Sequence, residues 1–410
     1  MRVAVVGGGV VGLACAWYLR RGGADVIVVE RDRCGEAASL GNAGWITPGL
    51  SNPIPAPGVM GQALRWMGKP DSPLLLRPRL DPAFARWCWS FWRASGRTRY
   101  LAGMRAMLAL NTRTLELYDG LAADGVEFEM HHRGLLFLFV TAKALDEEAA
   151  VLAELQREGY PGDVRRLSRE EAQALDPAVG DAVVGALHAP AERHVRPETV
   201  TRGLAAALAA AGAEIREHAE VTSLARAGPG WLLLAGDETI DADRVVVAGG
   251  VWTGQVLAPL GVVIRQEAAK GYSITGAGEG TRPRYPLYLG EAKVGCSPFE
   301  GGIRLAGTLE LAGNDLTIDR RRLAAVARSA STYLKDWRPV QPELEWAGLR
   351  PLPADSLPLI GRAPGQPGLF VATGHGMMGV TLSPATGALL APLVLKDRLL
   401  PELEAFRLDR

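Results

Sequence analysis

Residues 2–30 read RVAVVGGGVVGLACAWYLRRGGADVIVVE, and this stretch decides the fold of the chain. Its first part, Arg2–Val6, is a short apolar run with β-branched valines, which predicts a buried parallel strand. The segment Val10–Arg21 has an apolar face and basic residues in its last turn, where cations suit the helix dipole, so we predict a helix. Two glycines end that helix, and Asp25–Glu30 predicts a second buried strand. The order is therefore strand, glycine turn, helix and strand.

Three glycines and one acidic residue in this stretch indicate a nucleotide-binding site. Gly7, Gly9 and Gly12 stand at G-x-G-x-x-G spacing, and Glu30 follows at the tip of the second strand. The glycines let the backbone approach a pyrophosphate, the helix N-terminus supplies N–H donors, and the carboxylate can accept hydrogen bonds from ribose hydroxyls. A carboxylate at this place disfavours a 2′-phosphate. The sequence therefore predicts an FAD or NAD site rather than an NADP site.

The composition indicates a globular protein without a strong electrostatic field. A length of 410 residues predicts two domains. The 45 basic and 45 acidic side chains give a net charge of +0, so we expect no nucleic-acid partner. The four cysteines lie far apart and form no CxxC, which predicts reduced thiols in a cytoplasmic protein. Residues 3–19 are apolar, but their glycines favour the nucleotide fold over a membrane span.

Segments of α/β character occur three times along the chain, separated by two segments of different texture. The pattern therefore predicts an α/β fold with an α+β insert, in which a discontinuous Rossmann-like domain accompanies a mixed-sheet substrate domain. We place the nucleotide domain at 1–75, 191–265 and 344–410, and the substrate domain at 76–190 and 266–343. Further predicted elements are helices at 143–158, 198–212 and 319–337, a mainly helical stretch at 62–118, a capping box from Ser168 to Glu171, and strands at 133–140, 244–248, 270–275, 303–307 and 369–372.

The end of the chain distinguishes between the candidate cofactors. Leu369–Ala372 predicts a buried strand, and residues 373–379 (TGHGMMG) form a second glycine turn that opens a helix. The N-terminus of that helix could face a flavin and stabilise the negative charge that develops on its reduction. A nicotinamide enzyme needs no such closing element. The sequence thus favours FAD as the cofactor.

With these motifs in view, the chain resembles the D-amino-acid oxidase superfamily of FAD-dependent oxidoreductases, and within it the D-amino-acid dehydrogenase small-subunit branch. The resemblance spans nearly the whole chain, although 76–190 and 276–340 carry no diagnostic match. The matching segments are 7–12 with Glu30, 39–44 (SLGNAG), 48–49, 56–58, 248–252 (AGGVW), 270–275 (KGYSIT), 348–351 (GLRP), Asp355 with 358–361, and 373–379.

The resemblance implies a set of cofactor-binding residues. It places the loop that begins at Ser39 along the pyrophosphate and ring, Val221 at the adenine, and the terminal turn beside the flavin. The predicted FAD-binding residues are Gly7, Gly9, Val10, Val11, Gly12, Glu30, Arg31, Ser39, Asn42, Ala43, Gly44, Val221, Ala248, Gly249, Trp252, Arg350, Gly374, Gly376, Met377, Met378 and Gly379.

The substrate site is expected at Arg350. A guanidinium presents a rigid fork that matches a carboxylate in bidentate fashion, and in the resembling family the arginine of this turn binds the substrate carboxylate. Tyr272 and Tyr288 are predicted to supply substrate-binding hydroxyls. Tyr272 and His375 join Arg350 as predicted catalytic residues. The histidines show no metal-ligand spacing, so no metal site is expected.

The segment Phe84–Trp92 (FARWCWSFW) combines aromatic residues with arginines. It could bury itself against the substrate domain, or it could contact a membrane surface or a protein partner. On the second interpretation we expect a cytoplasmic protein that is peripheral on the inner membrane.

The resemblance predicts oxidative deamination of a small amino acid, with a D-amino acid favoured. The α-hydrogen would leave as hydride to flavin N5, giving an imino acid that hydrolyses to a 2-oxo acid and ammonia. Quinone, oxygen or a protein is the expected electron acceptor. The alternatives are a glycine, sarcosine or D-proline/hydroxyproline enzyme, and a flavin-bearing subunit of a complex that is inactive alone.

Overall fold

The computed structural model describes residues 1–66, 72–77, 79–277, 280–338 and 341–410 of the chain. Its α-helices in these residues are α1 (Val10–Arg21), α2 (Val59–Trp66), α3 (Pro82–Ala94), α4 (Arg97–Asn111), α5 (Thr114–Ala123), α6 (Ala142–Arg157), α7 (Arg169–Leu175), α8 (Pro197–Ala210), α9 (Thr253–Leu257), α10 (Arg320–Tyr333) and α11 (Gly379–Lys396). Short 3₁₀ helices lie at Pro48–Leu50, Gly250–Trp252, Ala258–Leu260 and Pro401–Phe406.

The strands of the described residues form four sheets. They are β1 (Arg2–Val6), β2 (Asp25–Val29), β3 (Trp45–Ile46), β4 (Leu74–Leu76), β5 (Met130–His131), β6 (Leu135–Phe139), β7 (Arg165–Ser168), β8 (Gly185–Ala189), β9 (Arg193–Val195), β10 (Glu214–Arg216), β11 (Val221–Ala227), β12 (Gly230–Ala235), β13 (Glu238–Ala242), β14 (Arg244–Val247), β15 (Gln266–Ala277), β16 (Leu287–Leu289), β17 (Val294–Phe299), β18 (Gly302–Leu311), β19 (Gln341–Pro353), β20 (Leu359–Arg362) and β21 (Leu369–Thr373).

The nucleotide-type sheet has six strands in the order β10-β2-β1-β14-β21-β20. Its first five strands pair in parallel, and β20 closes the edge antiparallel to β21. The central strands are buried on both faces, as the unbroken valine runs of the sequence predict. Because β1 and β2, β10 and β14, and β20 and β21 come from three distant parts of the chain, this sheet is discontinuous in sequence.

The second large sheet has nine strands and mixed pairing. Its path is β19-β15-β18-β17-β16-β6-β8-β7, with β4 added beside β18. The pairs β16–β6 and β18–β4 are parallel, and the remaining pairs are antiparallel. The strand β19 stays in this sheet as far as Pro353, which is beyond the predicted domain boundary at 344. Two three-stranded sheets, β11-β12-β13 and β3-β9-β5, complete the fold.

Helix α11 packs directly on α1, so the end of the chain returns to its beginning. Gly387 permits this contact, because a Cβ there would lie 2.6 Å from the carbonyl oxygen of Ala14. Within the described residues, α11 is the one helix whose length and hydropathy would allow it to cross a membrane. Most of that helix is buried inside the protein, which is the ordinary position of a core helix.

Candidate functional site

A long cleft opens where the glycine turn, the terminal turn and the edge of the second sheet meet. Its empty space, counted with the open mouth, is about 1070 Å³. The predicted residues that line it are Gly7, Gly9, Val10, Val11, Glu30, Arg31, Ser39, Asn42, Val221, Ala248, Gly249, Trp252, His375, Gly376 and Gly379. The lining also contains residues that were not among the predicted FAD-binding residues, namely Val6, Val29, Ala37, Ala38, Glu220, Gly250, Val251, Val256, Leu349, Pro351, Ala372, Thr373 and Val380.

The glycine turn after β1 brings backbone to the floor of this cleft. Gly7 has φ +110°, and a Cβ there would lie 2.6 Å from the carbonyl oxygen of Ala248. A Cβ at Gly12 would collide with the carbonyl oxygen of Gly7. At Gly9 the situation differs, since the nearest protein atom to a Cβ would be Ser39 Oγ at 3.6 Å. Gly7 and Gly12 are therefore required by the fold itself, whereas the protein alone leaves room at Gly9.

Glu30 is held rigidly at one end of the cleft. Its carboxylate accepts hydrogen bonds from the backbone N–H groups of Gly8 at 2.6 Å and Asp32 at 2.9 Å. Each carboxylate oxygen has two lone pairs, so both retain capacity to accept ribose hydroxyls. Beside it the Arg31 guanidinium lies 4.3 Å over the Trp252 ring, which gives this end of the cleft a flat cationic and aromatic wall.

These features fit FAD. The N-cap residue of α1, Gly9, contributes no side-chain cap, and the first turn of α1 carries no acidic residue. Val10 N–H donates to Ser39 Oγ at 3.1 Å, and among the described residues no other side chain accepts a hydrogen bond from a backbone N–H group in the first turn of this helix. A helix N-terminus without a cap, a glycine with open space and a fixed carboxylate form together a cradle for a pyrophosphate and a ribose.

The Asn42–Gly44 turn joins this cradle to the terminal turn. Asn42 Nδ2 donates to the Met377 carbonyl at 3.2 Å, and its Oδ1 accepts from Gly44 N–H at 2.8 Å. Below the turn, Arg304 Nη1 donates to the Asn42 carbonyl at 2.9 Å. Asn42 lines the cleft. Besides Arg350, six predicted FAD-binding residues are not in its lining, namely Gly12, Ala43, Gly44, Gly374, Met377 and Met378.

The terminal turn presents the uncapped N-terminus of α11 to the cleft. The N-cap residue, Met378, makes no side-chain cap. Gly376 N–H donates to the Pro351 carbonyl at 2.9 Å, so the turn is tied to β19. His375 lies in the cleft wall with its Nε2 2.9 Å from Thr386 Oγ1, and burial lowers the pKa of His375 to about 3. His375 is therefore a neutral side chain at neutral pH, and its predicted catalytic role stays a prediction.

Arg350 lies on β19 between Leu349 and Pro351, which line the cleft, but its own guanidinium is not in the cleft lining. Its Nη1 donates to the Thr308 carbonyl at 2.7 Å, and the rest of the guanidinium lies over Gly271, where any Cβ would collide with it. Burial lowers the pKa of Arg350 to about 10, and in the described part of the chain no carboxylate offsets this cost. A half-buried, charged fork that has no counter-ion among the described residues is the main electrostatic feature of this site.

Two hydroxyl groups near Arg350 also have no partner. Ser273 Oγ and Thr308 Oγ1 are buried and make no hydrogen bond within the described residues. Ser273 lies on the same face of β15 as Gly271, and Thr308 has φ +63° where β18 bulges opposite Gly271. Buried polar groups are normally satisfied, and strained residues cluster at functional sites. Ser273 lies in the matching segment 270–275 but was not predicted as a site residue, and Thr308 lies outside every matching segment, because the position of both depends on pairing between distant strands.

The structure does not bring Tyr272 to this site, which corrects the predicted catalytic and substrate-binding role. Tyr272 points to the opposite face of β15 from Gly271, because side chains alternate along a strand. Its hydroxyl donates to Glu310 Oε2 at 2.8 Å, and its ring packs with Ile274 and Leu323 beneath α10. The side chain belongs to a buried polar cluster on the outer face of the sheet.

Tyr288 is also distant from Arg350. It lies on β16, four strands along the sheet from β19, which corresponds to about 19 Å at normal strand spacing. Its ring packs edge-on against Trp45 at 6.0 Å and Phe137 at 5.5 Å. Tyr288 therefore supports the segment that follows the Asn42–Gly44 turn, and Arg350 is the only predicted substrate residue at the site just described.

The fold and the cleft are those of a flavin-dependent oxidoreductase, in which glycine turns from the two ends of the chain line one cleft. A family model described as FAD dependent oxidoreductase (DAO) matches residues 2–393. The chain belongs to this family, and FAD is its cofactor. The predicted class, an FAD-dependent amino-acid oxidoreductase, is confirmed at the level of the family.

Two curated relatives extend over almost the full length. The chain is 34% identical over 405 residues to a D-amino acid dehydrogenase of Xylella fastidiosa (strain 9a5c), covering 96% of this chain and 92% of the relative. It is 32% identical over 403 residues to a D-amino acid dehydrogenase of Phenylobacterium zucineum (strain HLK1), and this match covers 96% of this chain and 94% of the relative.

Solved structures share the fold. Glycine oxidase from Geobacillus kaustophilus superimposes with a TM-score of 0.80 at 24% identity, covering 100% of this chain and 99% of that one. L-proline dehydrogenase from P. horikoshii superimposes with a TM-score of 0.77 at 20% identity, and the superposition covers 99% of this chain and 96% of that one. These likenesses confirm the mixed α/β architecture.

Proposed function

We propose that this enzyme oxidises the Cα–N bond of a small amino acid, with D-amino acids as the favoured substrates. The observation that carries the proposal is the half-buried Arg350 guanidinium, which has no counter-ion among the described residues. An amino-acid carboxylate would supply the missing charge and could accept two parallel hydrogen bonds from the fork. The identity of 34% to a D-amino acid dehydrogenase over nearly the full chain supports the favoured handedness.

The protein would orient the substrate and provide a surface from which water is excluded. Arg350 would clamp the carboxylate, and the free hydroxyls of Ser273 and Thr308 could take further polar atoms of the substrate. FAD, when bound, supplies a two-electron acceptor for the hydrogen that leaves Cα as hydride. His375 is neutral and bonded to Thr386, so the amine is expected to lose its proton to solvent before it binds. The released imino acid would then be hydrolysed to a 2-oxo acid and ammonia.

The direct test is anaerobic reduction of the purified flavoprotein by a panel of D- and L-amino acids, followed by flavin absorbance. We expect bleaching by small D-amino acids and none by the corresponding amines that lack the carboxylate. If dithionite bleaches the flavin but no amino acid does, the chain does not act alone on amino acids, and the interpretation as a subunit of a complex takes precedence. Oxygen uptake measured beside dye reduction then separates an oxidase from a dehydrogenase.

The site assignment is tested by Arg350→Met and Gly271→Ala. Arg350→Met should retain FAD and raise the amino-acid concentration for half-maximal reduction about 100-fold, since it removes a charge-assisted bidentate contact. Gly271→Ala should act in the same direction, because its new methyl group displaces the guanidinium. Gly120→Ala is the control, as a Cβ there meets nothing within 4 Å. Wild-type concentration dependence in Arg350→Met would reject Arg350 as the carboxylate ligand.

A further inference from the structure

Helix α3 has a buried face that packs on the second sheet. Phe84 and Trp87 are only 6% and 8% exposed, and both contact Leu352 and its neighbours in one apolar cluster. Trp87 Nε1 also donates to the Leu352 carbonyl at 2.9 Å. Half of the aromatic segment therefore follows the predicted burial against the substrate domain.

The other half of α3 faces solvent. Trp89 is 59% exposed and Trp92 is 53% exposed, the two highest values among the described tryptophan side chains. Their rings contact each other with centroids 4.9 Å apart, and Leu80, just before the helix, is completely exposed. With Arg86 and Arg93, these tryptophans form the outer face of α3. Contiguous exposed apolar surface of this kind normally marks a contact with another body.

The charged side chains of α3 itself, Arg86 and Arg93, have one sign. Between Asp81 and Glu116 the sequence contains no acidic residue and six arginines, although the whole chain is neutral. Three of the six are paired with carboxylates, namely Arg97 with Glu154, Arg105 with Glu158 and Arg113 with Glu116. Arg86 and Arg93 are exposed on the outer face of α3, and no described carboxylate forms an ion pair with either.

The chemistry of the face selects among possible partners. A second copy docked through a two-fold axis would place the outer face against itself and bring its arginines together, which like-charge repulsion disfavours. An anionic bilayer can bind both the tryptophans and the arginines of this face, since tryptophan prefers the headgroup level and arginine binds lipid phosphate. An amphipathic helix with aromatic residues and unpaired arginines is typical of an interfacial segment.

We propose that the outer face of α3 docks the enzyme on the surface of an anionic membrane. Trp89, Trp92 and Leu80 would lie at the headgroup level, and Arg86 and Arg93 would contact phosphate groups. The helix lies on the surface and does not cross it, because its opposite face is fixed to the sheet. This proposal does not depend on the substrate, since binding requires no turnover.

The test is co-sedimentation of the FAD-loaded enzyme with vesicles of pure phosphatidylcholine or of phosphatidylcholine with one quarter phosphatidylglycerol. The wild type should bind the anionic vesicles and lose binding as salt rises. Arg86→Gln/Arg93→Gln should lower partitioning on anionic vesicles about 25-fold and leave neutral vesicles unaffected. Trp89→Ala/Trp92→Ala should lower partitioning about 10-fold or more. Val263→Ser, at a side chain 69% exposed elsewhere, and Arg202→Gln are the matched controls.

Three results would overturn the proposal. The first is equal binding of wild type to both vesicle types, or none to either. The second is a tryptophan pair variant that binds like wild type while retaining its flavin spectrum and melting temperature. The third is self-association of the wild type that disappears in Trp89→Ala/Trp92→Ala without vesicles, which would assign the face to a second copy.

Discussion

Two arginines on the strands that flank β15, the buried Arg304 and the half-buried Arg350, have different surroundings, and the difference separates a structural role from a functional one. Arg304 is fully buried and fully partnered, with Glu198 at 3.1 Å, Thr275 Oγ1 at 2.8 Å and the Asn42 carbonyl at 2.9 Å. Arg350 has one backbone carbonyl and no carboxylate within the described residues. Because a charge that is partly removed from water and has no ion-pair partner destabilises the protein, its presence beside a cleft points to a ligand that supplies the opposite charge.

Glu192 is another buried ionisable residue, and it makes the stability of the protein depend on pH. Its Oε1 accepts hydrogen bonds from Tyr160 and from Gly49 N–H, and burial raises the pKa of Glu192 to about 7. The folded carboxyl therefore keeps its proton while the unfolded one loses it above about pH 4.5. The contribution of Glu192 to the free energy of unfolding is therefore fully present below that pH. It is lost as the pH rises towards 7, and the total loss is about 3 kcal/mol.

We expect Glu192→Gln to raise the free energy of unfolding at pH 8 by up to about 3 kcal/mol and to change little at pH 4. The amide keeps an acceptor for Tyr160 and Gly49 but cannot ionise. Denaturant unfolding of the FAD-loaded protein across this pH range checks the effect. If the difference in the free energy of unfolding between variant and wild type stays constant from pH 4 to pH 8, Glu192 does not lose its proton on unfolding.

At the scale of single elements, the two outer glycines of the first turn should respond differently from the middle one. A Cβ at Gly12 would meet backbone that cannot move, so Gly12→Ala should destabilise the apoprotein by about 2 kcal/mol or more. A Cβ at Gly9 meets only Ser39 Oγ at an ordinary distance, so Gly9→Ala should leave apoprotein stability within about 0.5 kcal/mol.

FAD binding gives the complementary readout for this turn. Gly9→Ala should weaken FAD binding at least 10-fold, because its methyl group occupies the space above the N-terminus of α1. Fluorescence titration of the apoprotein with FAD measures the loss, and urea unfolding without FAD measures stability. Wild-type FAD affinity in Gly9→Ala would mean that the pyrophosphate does not pass over this residue.

The sequence predicted individual elements well where local chemistry determines them. Helix α1 and strand β1 have the predicted bounds, and Ser168 with Glu171 forms the predicted capping box at α7. The predicted helix 198–212 is Pro197–Ala210. The long strands β15 and β19 were predicted only as short pieces, because their length comes from pairing with each other across distant sequence. The mainly helical stretch 62–118 contains β4 beside its helices, and residues 67–71 and 78 lie outside the described chain.

On the scale of the whole molecule, the sequence could place the two ends of the cleft but not the face to which a strand side chain points. Glycine turns are local signals, so the residues around Gly7 and Gly376 could be named in advance. Tyr272 and Gly271 are adjacent in sequence, yet one faces α10 and the other supports Arg350. Only the register between β15 and β19 decides this, and no single-sequence pattern encodes that register.

Glu198 connects the parts of the molecule and provides the last prediction. It sits in the first turn of α8 and pairs with Arg304 of the second sheet and with Arg196, while Arg304 supports the Asn42 carbonyl at the cleft. Burial opposes ionisation of Glu198, but the two arginines outweigh it and hold its pKa below the ordinary value. This pair therefore adds stability above the unfolded pKa of about 4.3 and loses it as the pH falls.

Glu198→Gln should lower the free energy of unfolding by about 3 kcal/mol at pH 7, because Arg304 stays buried without its counter-ion. It should also weaken FAD binding, since the Asn42–Gly44 turn loses its fixed support. The difference from wild type should shrink as the pH falls below the ordinary glutamate pKa, because the native carboxylate then becomes protonated as well. Urea unfolding of the apoprotein over a series of acid pH values, with FAD titration at pH 7, measures both effects. A variant as stable as wild type at pH 7, with unchanged FAD affinity, would show that this ion pair does not couple the second sheet to the cofactor cleft.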